Sequence, residues 1–161
     1  METPTAIYFY SHHKQHDYMS NFYPVTFVEN GTRFNCSEQY LMYWKCRLFD
    51  GSNKEMLDCI LAETDPAQIK KYGRMVANFD PEVWDLHKLD IMVEGLRLKF
   101  NQNTELQMKL QATSPKILFE ASANDRIWGI GFSASKAITM DESHFGQNLL
   151  GTALMKVRDE S

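Results

Sequence analysis

The amino-acid sequence predicts a single α+β domain over residues 1–161, mainly helical with a small β-sheet or hairpin. Its 161 residues, of which 43% are hydrophobic and 24% charged, suffice for one globular core but are few for two. Strand patterns come first, then several helical patterns, then one strand and a final helix. This order favours α+β over a repeated strand–helix–strand fold.

The strand predictions rest on runs of β-branched and aromatic residues. Residues 6–10 (AIYFY) and 116–120 (KILFE) are two short runs of this kind. Residues 25–34 hold Asn30-Gly31 between two alternating segments. Because both central residues of a type I′ turn need a positive φ, this pair predicts a β-hairpin.

Three helices are predicted after the hairpin. Residues 35–49 lack Gly and Pro, and their apolar spacing defines one helical face: Tyr40, Leu41, Trp44 and Leu48. A second, shorter helix carries apolar residues at positions 56, 57, 60 and 61. The third begins at Asp65-Pro66, where Asp caps and Pro fits the first turn, and ends at Gly73.

The second half of the chain predicts three more helices. Its strongest amphipathic pattern has apolar residues at i, i+3, i+4, i+7 and i+11: Leu89, Met92, Val93, Leu96 and Phe100. Thr104 is expected to cap a short helix. The last helix begins near Asn148 and places Leu150, Ala153, Leu154 and Val157 on one face.

Charge and composition exclude several classes of protein. Seventeen basic and 21 acidic residues give a net charge of −4, which argues against general charge-driven binding to nucleic acid or to a membrane surface. A local basic rim stays open, and its candidates are Lys14, Arg33, Arg47 and Lys54.

The expected location is the cytoplasm. Residues 1–5 show neither the basic nor the apolar region of a secretory signal, and no apolar stretch approaches the roughly 18 residues that span a bilayer. Cys36, Cys46 and Cys59 form no C-x-x-C pair, so we expect reduced thiols that behave as small buried hydrophobic groups.

The first candidate for chemistry is the pair Glu38 and Lys45 on the predicted helix at 35–49. Seven residues are nearly two helical turns, so both side chains point the same way. A lysine beside Trp44 and Cys46 is expected to be partly desolvated, with a lowered pKa and a nucleophilic amine. Two structural alternatives remain: a surface ion couple, or a capping box with Asn35 as cap and Glu38 at its third position.

Two further segments suit ligand contacts. Around Asp125, the glycines at 129 and 131 permit close backbone approach and Trp128 offers a stacking surface, although an ordinary turn with one packed Trp fits equally. At Asn148, the start of the last helix offers free N–H groups to a phosphate, with a simple Asn cap as the alternative.

Two other groups of polar residues are candidates for phosphate contacts and for a metal site. Arg74 and Lys99 are cationic candidates for phosphate contacts, with solvated surface charges as the alternative. His12, His13 and His16 lack further Cys or carboxylate ligands at suitable spacing, so we expect no metal site.

The order of five motifs identifies a family resemblance. They are MSNFYP at 19–24, F-x-x-x-E-x-Y at 34–40 with Lys45, Lys99-Phe100, L-x-E-A-S-x-x-D-x-x-W-G-x-G at 118–131, and G-x-N-L-L-G at 146–151 continuing to Arg158. Together they resemble the NADAR family, also called YbiA-like, over nearly the whole chain. The His-rich segment before Ser20 is unusual and suggests a substrate-specific loop.

The resemblance implies an N-glycosidase that acts on phosphorylated ribosides and uses no cofactor. It places catalytic roles on Glu38, Lys45 and Asp125. The residues that it places at the substrate are Ser20, Asn21, Phe22, Tyr40, Trp128 and Gly129. Two substrate groups are associated with the family: ribosylaminopyrimidine intermediates of riboflavin synthesis, and ADP-ribose attached to guanine in nucleic acid or nucleoside.

In both substrate groups the sugar C1 is bonded to an exocyclic amine of a base, which suggests one mechanism. Lys45 attacks the opened sugar as a neutral amine and forms a Schiff base, and Glu38 moves the protons. Asp125 holds ribose hydroxyls or serves as a second acid/base, and Trp128 or Phe22 stacks on the base. The alternative is direct attack by water that Glu38 activates.

Three hypotheses on function therefore remain. We expect ADP-ribosylated guanine as the substrate, because no riboflavin-pathway domain accompanies these residues, with the ribosylaminopyrimidines as the alternative. A non-catalytic module that binds ADP-ribose or NAD would use the same contacts, and a purely structural protein would not bring Glu38, Lys45 and Trp128 around one concave site. Expected partners are the modified base and, locally, the nucleic acid that carries it, with no membrane partner; the expected state is a monomer.

Overall fold

A computed structural model describes residues 1–160. The strands are β1 (Ala6–Phe9), β2 (Phe27–Glu29), β3 (Thr32–Phe34) and β4 (Ile117–Glu120). The helices are α1 (Ser37–Asp50), α2 (Lys54–Ala62), α3 (Pro66–Arg74), α4 (Pro81–Asn101), α5 (Thr104–Gln111), α6 (Ala134–Ala137) and α7 (Leu149–Asp159). The prediction of an α+β fold dominated by helices is confirmed.

The chain forms two units, and one of them is Asn21–Gln102. The other combines Met1–Ser20 with the residues from Asn103 onward. The single domain over residues 1–161 stays a prediction.

The β2–β3 hairpin opens the unit at 21–102 and confirms its prediction. The strands pair antiparallel, with Phe27 opposite Phe34. Asn30 and Gly31 take φ values of 49° and 83°, as the tight turn requires. The hairpin leads directly into α1.

Helix α1 is the centre of this unit, where it packs against α2, α3 and α4. A Cβ on Gly95 of α4 would lie 2.5 Å from the Tyr40 ring, so the two helices approach as closely as a glycine allows. The predicted apolar stripe of α4 is buried from Met92 to Phe100. On α1 the stripe stops short, because Leu48 is 40% exposed.

Several predicted helix ends shift when the hydrogen bonds are examined. Asp65 caps α3 as predicted, since its side chain accepts the N–H of Ala67 at 3.0 Å. Gly73, however, lies inside α3, which continues to Arg74. Asn103, rather than Thr104, precedes α5.

The capping box proposed for Asn35 and Glu38 is wrong. Cys36 precedes α1, and its side chain makes no capping bond. Instead, Gln39 Oε1 accepts the backbone N–H of Asn35 at 2.7 Å. Gln39, rather than Glu38, therefore pairs the N–H of Asn35.

The second unit contains β1 and β4, which pair in parallel from Ala6 opposite Ile117 to Phe9 opposite Glu120. One apolar cluster packs with this sheet: Ala6, Tyr8, Phe119, Ala121, Ile130, Ala134 and Ala137. Both strands were predicted, whereas α6 and the parallel pairing were not. Helices α5 and α7 pack together, and α7 also packs against β4.

Two sequence expectations concern compartment and cysteines. Within residues 1–160, no helix is long and apolar enough to cross a bilayer. All three cysteines are free thiols. Cys36 and Cys46 are buried as expected, but Cys59 is exposed, because it lies on α2 beside the buried Ile60 and faces outward.

Candidate functional site

Helix α1 carries Glu38 in its first turn and Lys45 near its middle, on the same face. Glu38 is in the first turn, is only 7% exposed, and its N–H donates to the carbonyl of Asn21 at 3.0 Å. Lys45 lies about 10 Å further along the helix axis and is half-buried. The helix therefore places a buried carboxyl and a half-buried amine on one face, about two turns apart.

The amine of Lys45 is surrounded by aromatic rings. Its Nζ lies 4.5 Å from the centroid of the Phe79 ring and 5.8 Å from that of Trp84. Burial lowers the pKa of Lys45, Glu38 opposes this, and the positive charge of Arg74 adds to it. The expectation of a partly desolvated lysine agrees with this environment, which favours a nucleophilic amine.

Two buried polar atoms flank the first turn of α1. Asn21 Oδ1 and Ser37 Oγ are buried, and neither has a hydrogen-bond partner within residues 1–160. The Asn21 amide nitrogen is held by Met92 Sδ at 3.3 Å. Buried polar atoms are normally paired, so both atoms retain an unused capacity: the Asn21 oxygen can accept a hydrogen bond, and the Ser37 hydroxyl can donate or accept one.

Lys99 and Cys36 lie in the charged surroundings of the same helix start. Lys99 is fully buried, with its Nζ 5.8 Å from the Tyr23 ring and 5.2 Å from the Phe100 ring. The alternative of a solvated surface charge at Lys99 is therefore wrong. Burial raises the pKa of the Cys36 thiol to about 11, with Glu38 acting in the same direction and Lys99 against it. Cys36 is therefore a protonated thiol rather than a nucleophile.

Tyr40 joins α1 to the hairpin, and its expected role at the substrate stays a prediction. Its hydroxyl donates to Glu29 Oε2 at 2.8 Å, and Trp44 Nε1 donates to the other oxygen at 2.9 Å. Burial and the neighbouring Glu29 raise the pKa of Tyr40 well above its usual value. Together these bonds fasten the hairpin to α1. Phe22, by contrast, is half-buried.

In the other unit, Asp125 closes a turn. Its Oδ1 accepts the backbone N–H groups of Ile127 and Trp128, both at 2.9 Å. These bonds fix the carboxylate, and the role of Asp125 at the substrate stays a prediction. Trp128 is half-buried, and its ring makes no aromatic contact among the described residues.

At the start of α7, three backbone N–H groups that were candidates for a phosphate are already paired. The N–H groups of Asn148, Leu149 and Leu150 donate to the carbonyls of Gly129, Ile127 and Trp128 at 3.0–3.1 Å. The simple Asn cap is wrong, because the Asn148 side chain makes no capping bond. It accepts the Glu120 N–H and donates to the Leu118 carbonyl, both at 2.9 Å, and so joins α7 to β4.

Gly129 serves this same backbone network. A Cβ at this position would lie 3.0 Å from the carbonyl oxygens of both Asp125 and Glu120. Neighbouring backbone thus occupies the space that was expected to admit a ligand. The glycine lets the turn pack against β4.

The remaining predicted residues are placed as follows. Ser20 is buried and its N–H donates to the Asp17 carbonyl at 2.9 Å. Arg74 is exposed at the end of α3. The candidates for a basic rim are all exposed: Lys14, Arg33, Arg47 and Lys54.

The histidines do not assemble a metal centre. His16 is buried, and its Nε2 contacts Glu2 Oε1 at 2.7 Å. His12 and His13 lie edge-on to the Tyr10 ring. Over residues 1–160, no group of three His, Cys, Asp or Glu side chains is arranged to hold a metal ion.

The sequence analysis missed Phe79 and Trp84. Both lie at the start of α4, where Asp80 caps the helix and Pro81 occupies its first position. The Asp-Pro pair could have located this helix start and the aromatic residues beside it. Nothing in the local pattern, however, indicates that their rings meet Lys45, which lies more than thirty residues earlier.

Comparison with known proteins decides the family. The family model described as the NADAR domain matches residues 8–160. The chain belongs to the NADAR family. This match covers both α1 and the turn at Asp125.

Individual relatives agree with this NADAR assignment. N-glycosidase R617 of Acanthamoeba polyphaga mimivirus is 41% identical, over 100% of this chain and 99% of its own length. The riboflavin biosynthesis protein VVA0006 of Vibrio vulnificus is 33% identical over 99% of this chain, which spans 39% of that protein. The NMR structure of the E. coli protein YbiA matches with a TM-score of 0.78 at 29% identity, covering 99% of this chain and 86% of that one. The expected YbiA-like fold is confirmed.

Proposed function

We propose that this NADAR protein is an N-glycosidase that removes ADP-ribose from the exocyclic amine of guanine, in nucleic acid or in a nucleoside. The observation that carries the proposal is that the half-buried amine of Lys45 lies on the same helix face as the buried Glu38. Burial lowers the pKa of this amine. A relative named an N-glycosidase that covers the full chain supports the reaction class.

The reaction begins with the opening of the ribose ring. The bond between C1 and the ring oxygen breaks, the oxygen gains a proton, and C1 becomes doubly bonded to the base nitrogen. The neutral amine of Lys45 then adds to C1 through its lone pair. The amine loses a proton, the base nitrogen gains one, and the bond from C1 to that nitrogen breaks. The guanine leaves with its own amine restored and still attached to its nucleoside or nucleic acid, and a Schiff base joins Lys45 to the sugar.

Water completes the cycle. It adds to C1 of the Schiff base, and the bond to Lys45 breaks with transfer of a proton to the amine. The products are free ADP-ribose and the unmodified lysine. Glu38 is the acid and base for these transfers, a role in which a positioned carboxyl contributes about 100- to 10,000-fold in rate.

Other residues bind the parts of the substrate that do not react. The exposed guanidinium of Arg74, whose charge acts on Lys45, suits a phosphate near the reacting sugar. Asn21 Oδ1 suits a donor from the sugar or base, because burial leaves it without a partner in the described chain. Asp125 Oδ2 is proposed for a ribose hydroxyl, and Trp128 or Phe22 for stacking on the base.

Two substitutions separate this mechanism from direct attack by water. If Glu38 activates water against C1, Glu38→Gln abolishes base release whereas Lys45→Ala only weakens it. The Schiff-base mechanism instead requires that Lys45→Ala abolish release. The measurement is the rate at which ADP-ribosylated guanosine is converted to guanosine and ADP-ribose at saturating substrate.

Ribosylaminopyrimidines are the second candidate substrate, favoured by the Vibrio relative that is named a riboflavin biosynthesis protein. They present the same bond between a sugar C1 and an exocyclic amine. A side-by-side assay of base release from both substrates decides between them. We expect higher kcat/KM for ADP-ribosylated guanine, and the reverse order would overturn the proposed substrate.

A non-catalytic module that binds ADP-ribose or NAD is the remaining hypothesis. Calorimetric titration with free ADP-ribose, combined with the release assay, distinguishes it from an enzyme. Tight binding without release of base from either substrate would favour the module. We expect release that depends on both Glu38 and Lys45.

A further inference from the structure

Phe79 is an exposed aromatic residue whose position is set by its neighbours. It follows Asn78, which adopts a left-handed backbone with φ of 64°, and precedes the cap of α4 at Asp80. Its ring lies 5.2 Å from that of Phe49 in an edge-to-face arrangement. Although its ring is held in this way, Phe79 remains 42% exposed.

Trp84 completes the same aromatic group from the first turns of α4. It is buried, and its ring lies 6.3 Å from that of Phe49. Phe79 and Trp84 both lie within about 6 Å of the Lys45 amine, the range in which a ring face attracts a cation. Phe79 lies over the Lys45 amine although much of its own side chain is exposed to water, so burial in the core does not explain its position.

We propose that Phe79 and Trp84 are positioning residues, which hold the Lys45 amine at one location and shield it from water for attack on the sugar. This inference rests on the proposed function, because it assigns the rings a task in the same reaction. Neither residue touches the reacting carbon in this scheme. They act through Lys45.

The rings exert two opposite effects on the amine. Excluding water disfavours the ammonium form, whereas a ring face attracts it. Burial is the largest influence on the pKa of Lys45 and lowers it. The charged groups acting on the amine are Glu38 from its own helix, which favours the ammonium, and Arg74 from α3, which disfavours it.

The two effects can be separated by substitution. Phe79→Ala removes both the shield and the ring face, so water reaches the amine and its pKa rises. Phe79→Leu keeps most of the bulk but has no aromatic face, so the pKa stays at or below that of the wild type. Leu86→Ala is the matched control, because Leu86 is on the same helix α4 and is 77% exposed.

The test measures the amine in the free protein, so its outcome does not depend on turnover. Trace acetylation by acetic anhydride is followed across pH by mass spectrometry of the peptide containing Lys45, with exposed Lys70 of α3 as internal reference. We expect the midpoint for Lys45 to move by about one pH unit to higher pH in Phe79→Ala. The midpoint should not rise in Phe79→Leu or in Leu86→Ala.

Activity provides the second readout. A rise of one unit leaves about tenfold less neutral amine, so kcat/KM at neutral pH should fall about tenfold in Phe79→Ala and its pH profile should shift upward. An unchanged labelling midpoint in Phe79→Ala, or an equal rise in Phe79→Leu, overturns the proposal. Thermal unfolding checks that each variant is folded, and Phe79→Thr replaces the alanine variant if that one is not. Failure of the proposed function appears separately, as absence of base release by the wild type.

Discussion

Helix α1 and the turn at Asp125 both looked like functional motifs, yet their polar groups are used differently. On α1 the amine of Lys45 faces aromatic rings, and Asn21 Oδ1 near the helix start has no partner in residues 1–160. At the turn, by contrast, Asp125 Oδ1 and both polar atoms of the Asn148 side chain bind main-chain groups.

The difference follows from backbone hydrogen bonding. The interior of a helix pairs its own backbone groups, so it does not depend on side chains such as Lys45 for that pairing. An irregular segment cannot do this, and the polar side chains near it are drawn into pairing its N–H and C=O groups. Glycines and short polar residues in a loop are therefore weaker indicators of a ligand site than two charged residues on one buried helix face.

The largest effect is expected at Lys45. Lys45→Ala should reduce base release to the background rate, because no other amine on this helix face can form the Schiff base. Lys45→Arg is the matched control, since it keeps the positive charge but cannot form that bond, and it should be equally inactive. Release at more than a tenth of the wild-type rate in either variant would place the chemistry elsewhere.

Glu38→Gln should have the second largest effect. The amide keeps the shape of the side chain but cannot transfer a proton, so kcat should fall about 100- to 10,000-fold. KM should change little, which a full rate-against-concentration curve measures. A rise in KM with unchanged kcat would instead make Glu38 a binding residue.

Asn148→Ala tests the other side of the comparison, through stability. It removes two hydrogen bonds and leaves the Glu120 N–H and the Leu118 carbonyl unpaired, which should cost about 2–4 kcal/mol in the free energy of unfolding. Asn30→Ala is the control, because Asn30 has the same left-handed backbone, in the exposed hairpin turn. Equal losses in urea unfolding would assign the whole effect to backbone strain.

Substitutions at Asp125 should give the smallest effect. The loss of activity and the loss of stability should appear in different variants. In Asp125→Asn an amide oxygen can still accept from Ile127 and Trp128, so stability should hold while base release falls about tenfold with loss of the second carboxylate oxygen. Asp125→Ala should also lose about 1–2 kcal/mol of stability. Thermal unfolding beside the release assay separates the two, and unchanged release by Asp125→Asn would make the residue structural.

The activity of the wild type should also depend on pH in a defined direction. In the proposed mechanism Lys45 attacks as the neutral amine, so the rate should rise with pH up to the pKa of this group. Because burial lowers that pKa, the rise should be complete at lower pH than for an ordinary lysine near 10.4. A rate that keeps rising to pH 10.4 would contradict a shielded amine.

Local patterns predicted most of the elements but not how distant segments pair. Asn30-Gly31 and Asp65-Pro66 each dictate a local geometry, and the hairpin turn and the start of α3 formed as expected. The parallel pairing of β1 with β4 joins segments about 110 residues apart, which periodicity does not encode. The site divides in the same way, since the spacing of Glu38 and Lys45 is local whereas the ring of Phe79 reaches Lys45 only through packing of α4 on α1.

The central claim is that Lys45 becomes covalently bonded to the sugar, and reductive trapping tests it most directly. The protein is incubated with ADP-ribosylated guanosine and borohydride, digested with trypsin and examined by mass spectrometry. The account predicts that the adduct blocks cleavage after Lys45, so that peptide 34–47 appears carrying the mass of the reduced sugar, and that Lys45→Arg gives no adduct. Rapid release of guanosine with peptide 34–45 unmodified at every time point would contradict it.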